Sequence, residues 1–203
     1  MKKGRLIIFE GIDNVGKSII CEQIYKKLCE QDILSVAYSF PGREEGTLGK
    51  LVYDIHHDCL DIKSKDINPI SLQVLHIAAH IDAIVKKILP AVNEGKVVLL
   101  DRSWWSTYAY GIGNVLDKEI LNDILRPELR LFDQISDATV FYITRRNREE
   151  EYTEKKKTAI LKAYDELCEL PSKMKVVKIE NDGCISEAVD LIYKNIMKGG
   201  LNK

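Results

Sequence analysis

The apolar run Arg5-Leu6-Ile7-Ile8-Phe9-Glu10 leads directly into Gly11-Ile12-Asp13-Asn14-Val15-Gly16-Lys17-Ser18, in which a glycine, four residues and then Gly-Lys-Ser follow one another. Few patterns constrain a chain more: this one needs a buried strand before it and a helix after it. Ile19 to Glu30 supplies the helix, with Ile20, Ile24 and Leu28 at helical spacing. Each part has a physical task. Gly11 and Gly16 let the backbone turn tightly, so that the amides of Ile12, Asp13, Asn14 and Val15 converge on one polyphosphate at the positive end of the helix. Lys17 adds a point charge for the β- and γ-phosphates, and the Ser18 hydroxyl can serve Mg²⁺. A glycine-bearing turn can also bind nothing, but one placed between a strand and a helix implies a nucleoside triphosphate site.

The rest of the chain repeats the alternation. Strands are expected over 33–40, 96–100, 138–143 and 175–179. Helices are expected over 46–60, 70–92, 116–132 (interrupted near Pro127), 148–170 and 185–197. The stretch 96–100 is almost continuously apolar, as a central parallel strand should be. Strands alternating with helices imply an α/β fold: a five-stranded parallel sheet flanked by helices on both faces, with right-handed crossovers. The 203 residues suit a single domain over 1–203. A net charge of −1 argues against a general nucleic-acid or membrane-surface binder, so cations for a polyanion must be concentrated locally. No apolar run approaches a membrane span or a signal peptide. Five cysteines, at 21, 29, 59, 168 and 184, form no Cys-x-x-Cys pair and fit free thiols in a reducing cytoplasm, mostly as small core residues.

In such a sheet, ligands lie over the C-terminal strand ends. The second strand leaves through Ser39-Phe40-Pro41-Gly42-Arg43 and the third through Asp101-Arg102-Ser103. Two arginines therefore leave strand ends near the phosphate loop, where they can clamp a second, smaller phosphate. Asp101 can hold Mg²⁺ through water. Taken alone, Asp101–Arg102 also reads as an ordinary structural ion pair.

Phe9-Glu10-Gly11-Ile12-Asp13-x-x-Gly16-Lys17-Ser18, then Phe40-Pro41-x-Arg43, then Asp101-Arg102-x-x-x-Ser106-x-x-Ala109-Tyr110 resemble, in this order, the motifs of thymidylate kinases. The resemblance implies a P-loop kinase fold, a homodimer, and transfer of the ATP γ-phosphate to dTMP with Mg²⁺. It also implies roles. Lys17 and the loop amides would hold ATP, Ser18 and Asp101 the metal, and Arg43 and Arg102 the acceptor phosphate. Asp13 would meet the sugar or that phosphate, with Phe40, Pro41, Ser106 and Tyr110 near base and sugar.

Three departures accompany the resemblance. Counting back without a gap from Asp101-Arg102, the family's base-stacking Phe and base-facing Arg fall on Ile77 and Ile81; His80, one residue earlier, can replace lost base contacts. Ser103 and Gly111 stand where the family has Tyr and Gln, and Asp-Arg-Ser is closer to deoxynucleoside kinases. The lid, around 144–151, is short: Arg145, Arg146 and Arg148 run almost directly into the next helix, and Arg148 resembles its start. All three arginines are candidates for the transferring phosphoryl group. His76 and His80 have the spacing of a zinc pair but no evident third ligand. Two alternatives therefore stay open: a deoxynucleoside kinase, and a nucleotide-binding module without an acceptor site.

Overall fold

Five short runs rich in β-branched residues form one parallel sheet in a computed structural model, which describes residues 3–146 and 152–199. β1 (Arg5–Glu10) is central, between β3 (Val97–Asp101) and β4 (Ala138–Thr144), and β2 (Ser35–Ser39) and β5 (Lys175–Glu180) form the edges. Leu6 to Phe9 and Val97 to Leu100 are buried on both sides, which explains their unbroken apolar sequence. α1 (Lys17–Glu30) and α8 (Ile185–Lys198) pack together. A second group packs among itself: α3 (Pro69–Ala83), α5 (Trp104–Gly113), α6 (Lys118–Phe132) and α7 (Glu154–Glu169). Two such groups are what covering both faces of one sheet requires. α2 (Leu48–His56) packs on α3. Among the described residues, no helix is long and apolar enough to cross a membrane.

Three elements differ from expectation. The helix expected over 70–92 is one rod in three pieces: α3, a π turn at Ile84–Ile88 and α4 (Leu89–Asn93). Leu89 N–H reaches back to the Ile84 carbonyl, one residue further than in an α-helix. Pro90 follows, with no N–H and a ring that presses on the carbonyl four residues earlier, a clash that a widened turn relieves. α6 passes Pro127 without a break, because a buried face of Leu121, Leu125, Glu128 and Phe132 holds it.

α5 is a helix that composition hides, since Gly111 and Gly113 read as breakers. Cβ atoms at those two positions would lie 2.6 Å from the Leu121 side chain and 2.5 Å from that of Ile160, so the glycines let α6 and α7 approach. The cysteines are free, but Cys29, Cys59 and Cys184 are exposed rather than in the core.

Candidate active site

Phe9 and Ser39 both align with Asp101 across the sheet, so β1, β2 and β3 end level and their loops leave along one edge. The first of these loops turns at Gly11 (φ 143°) and Gly16 (φ 92°). A Cβ on Gly11 would lie 2.2 Å from the Ile143 carbonyl oxygen, so only glycine fits there. Lys17 is buried, and its ammonium donates to the Ile12 carbonyl at 2.8 Å. Burial, helped by nearby Arg102, brings its pKa down to about 7. Ser18 Oγ donates to Asp101 Oδ2 at 2.5 Å, while Asp101 Oδ1 is buried without a hydrogen-bond partner among the described residues. A hydroxyl and a carboxylate oxygen side by side fit Mg²⁺.

Arg102 follows β3 in the left-handed region (φ 74°), a strain held in place by its own N–H donating to the Phe9 carbonyl at 3.0 Å. Its guanidinium pairs with Asp13 Oδ1, donates to Ser106 Oγ at 3.0 Å and lies over the Tyr110 ring. Asp13 Oδ2 accepts from the Tyr110 hydroxyl at 2.6 Å and from the Tyr152 hydroxyl. Burial works to raise the Asp13 carboxyl, but Arg102, both tyrosines and Lys17 hold it below the usual range.

Beneath this corner, buried Glu10 accepts from Ser103 N–H (2.6 Å), Ser103 Oγ (2.7 Å) and Ser106 Oγ (2.7 Å). Ser106 is thus occupied by protein on two sides, supporting Arg102 while still lining the space above it. Tyr164 closes the floor, its hydroxyl donating to Glu10 and to the Gly11 carbonyl.

A cavity of about 900 Å³ opens from Asp13, Arg102 and Tyr110 to α2 and α3. Phe40 and Pro41 line it, as does His80, whose ring stacks on Phe40 with centroids 4.0 Å apart and whose Nδ1 lies 3.1 Å from Glu128. Other expected residues stand elsewhere. Arg43 is exposed outside this cavity, over the Tyr53 ring, because the Gly42 turn (φ 106°) carries the chain outward. Ile77 is buried in the core and Ile81 packs against it, and neither lines the cavity. The π turn is the reason: one extra residue rotates everything before it by about 100°, so Gln73, His76 and His80 face the space instead.

Arg146 is held by Asp182 at 3.0 Å, and with Arg145 it lines a separate cavity of about 350 Å³. Arg148 and the rest of 147–151 lie outside the described residues. Trp105 is fully buried and Trp104 packs against the core; neither lines the large cavity. Gln73, Tyr152, Glu128 and the cavity-lining role of His56 carried no motif in the sequence, and Glu10 stood inside the first motif without a role of its own. The one available signal was a buried acid at the end of a central strand.

A family model described as thymidylate kinase matches residues 9–192. The thymidylate kinase of Thermoanaerobacter sp. (strain X514) is 32% identical over 143 residues, covering 66% of this chain and 67% of that protein. The thymidylate kinase of Leptospira borgpetersenii serovar Hardjo-bovis (strain L550) is 29% identical over 144 residues, covering 68% and 67%. A solved thymidylate kinase structure from Candida albicans shares the fold, with a TM-score of 0.70 at 18% identity over 97% of this chain and 92% of that one.

Proposed function

This chain belongs to the thymidylate kinase family, and from that membership we propose that it moves the γ-phosphoryl group of ATP onto a deoxynucleoside monophosphate, dTMP foremost, giving the diphosphate. One observation carries the reading: the Gly11–Ser18 loop and the Arg102–Asp13 corner share a rim, the Arg102 guanidinium reaching the Gly11 carbonyl at 3.4 Å and pairing with Asp13. Two anion cradles at that spacing suit one phosphate chain passing its end group to another.

The acceptor phosphate oxygen attacks the γ-phosphorus, the bond to the β-phosphate oxygen breaks, and ADP leaves. No protein nucleophile is needed, so catalysis is alignment and neutralisation of charge. In this reading Lys17 and the loop amides hold the ATP phosphates, and Arg102 holds the acceptor phosphate. Asp13, fixed by Tyr110, orients Arg102 or the sugar. Ser18 and Asp101 would hold Mg²⁺, which would supply positive charge to the ATP phosphates. Arg148 is a further cation for the transferred group. A homodimer in the cytoplasm completes the proposal, by analogy with the family.

Purified protein with ATP–Mg²⁺ and a panel of nucleoside monophosphates should yield ADP together with the matching diphosphate. No turnover of any monophosphate rejects the reading. Turnover of thymidine alone moves it to a nucleoside kinase, the alternative favoured by Asp101-Arg102-Ser103.

A further inference from the structure

The α3 wall of the large cavity has a different chemistry from the Arg102 corner. Gln73, His76 and His80 lie at i, i+3 and i+7 on α3 and line the cavity as a polar stripe on a largely apolar helix. Gln73 is 6% exposed overall, and among the described residues no hydrogen bond holds its amide. The amide opens onto the cavity, so a ligand there meets a free donor and a free acceptor.

The rings nearby are not equally available. Phe40 is stacked on His80, and Tyr53 is stacked on His57 with centroids 3.8 Å apart. His76 meets its neighbours only tilted or edge-on: His56 at 46° and His80 at 70°. Its Nε2 lies 2.8 Å from His56 Nε2, which pins the ring.

We infer that Gln73 and His76 read the acceptor's pyrimidine base, the Gln73 amide along its hydrogen-bonding edge and the His76 ring against its face, and that this wall accepts either an oxo or an amino group at C4. The inference rests on the phosphotransferase reading above. An amide carries one donor and one acceptor, and rotating it by half a turn exchanges them. One orientation pairs with N3–H and O4 of thymine, the other with N3 and the N4 amino group of cytosine. A guanidinium, with donors only, cannot do both.

Charge supports the orientation. Burial, with His80, His56 and Arg102 nearby, holds the His76 ring well below the ordinary histidine range, so it is neutral at pH 7. The His76 ring thus offers a base an uncharged face, while Arg102 lines the same cavity beside the phosphate loop.

The test is steady-state kinetics with three acceptors: dTMP, dCMP and the base-less 2-deoxyribose 5-phosphate. In the unmodified protein, kcat/KM for dTMP and dCMP should agree within about tenfold. Gln73→Leu should raise KM for both by about 10- to 100-fold and leave the KM for ATP and for the base-less acceptor within about twofold. Gln73→Glu keeps the volume but loses the donor, and it should move both nucleotide KM values in the same direction, which separates lost pairing from a packing defect.

The inference is overturned by unchanged nucleotide KM values in both variants, or by an equal rise for the base-less acceptor. Discrimination between dTMP and dCMP of more than about 100-fold also overturns it. Failure of the parent reading looks different: the unmodified protein then turns over no monophosphate, and this assignment falls with it.

Discussion

Lys17 is buried, with 5% of its surface exposed. Among the described residues its ammonium has one hydrogen-bond acceptor, the Ile12 carbonyl, and burial beside Arg102 lowers its pKa from 10.5 to about 7. The unfolded chain therefore binds more protons than the folded one between those values. Stability rises with pH across that window, as the cost of the buried charge disappears. A polyphosphate in the loop reverses the balance by favouring the protonated amine. Near pH 8, binding of ATP–Mg²⁺ should take up as much as about one proton, read as a calorimetric enthalpy that depends on the ionisation enthalpy of the buffer. Lys17→Met should abolish the uptake, and a buffer-independent enthalpy in the parent protein would contradict this account of the site. The loop motif made Lys17 and Ser18 legible, and the end of the third strand made Asp101 so. Tyr152 was not, because it reaches Asp13 across 139 residues of chain, and no local pattern marks such a contact.

Elements set the cavity's outline through close approaches that leave little mark in sequence. Gly49, in the first turn of α2, is one: a Cβ there would lie 1.9 Å from the Pro41 carbonyl oxygen, a backbone atom that cannot swing aside. Gly49→Ala should cost about 1–3 kcal/mol and lower Tm by roughly 3–10 °C. It should also raise the acceptor KM, because Pro41 on one side of the contact and Tyr53 and His56 on the other line the cavity. Thermal unfolding followed by circular dichroism checks the first effect, and an unchanged Tm would refute the contact. Strands and the first helix were readable because apolar runs with β-branched members and a 3.6-residue stripe are local signals. The π turn at Ile84–Ile88 was not. A single extra residue inside an otherwise regular helix moved the cavity face from Ile77 and Ile81 to His76 and His80. α5 was hidden for the opposite reason: its glycines serve neighbours, and only packing reveals them.

At the scale of the molecule, strand order does the assembling. β1 lies between β3 and β4, so the loop after β1 and the turn after β3 are neighbours although 91 residues separate Gly11 from Arg102. The parallel sheet and its order of motifs were visible in the chain. The tilt of Arg43 away from the cavity was not, because it depends on how the Gly42 turn settles against α2. The account's central claim is that two anion cradles on one sheet edge hold different phosphates. Its most direct test is the kinetics of Arg102→Ala with both substrates varied. The account predicts an acceptor KM raised by about 10- to 100-fold, as loss of a charge-assisted fork should give, with the KM for ATP within about twofold. Unchanged acceptor kinetics, or an equal loss of affinity for ATP, would contradict it.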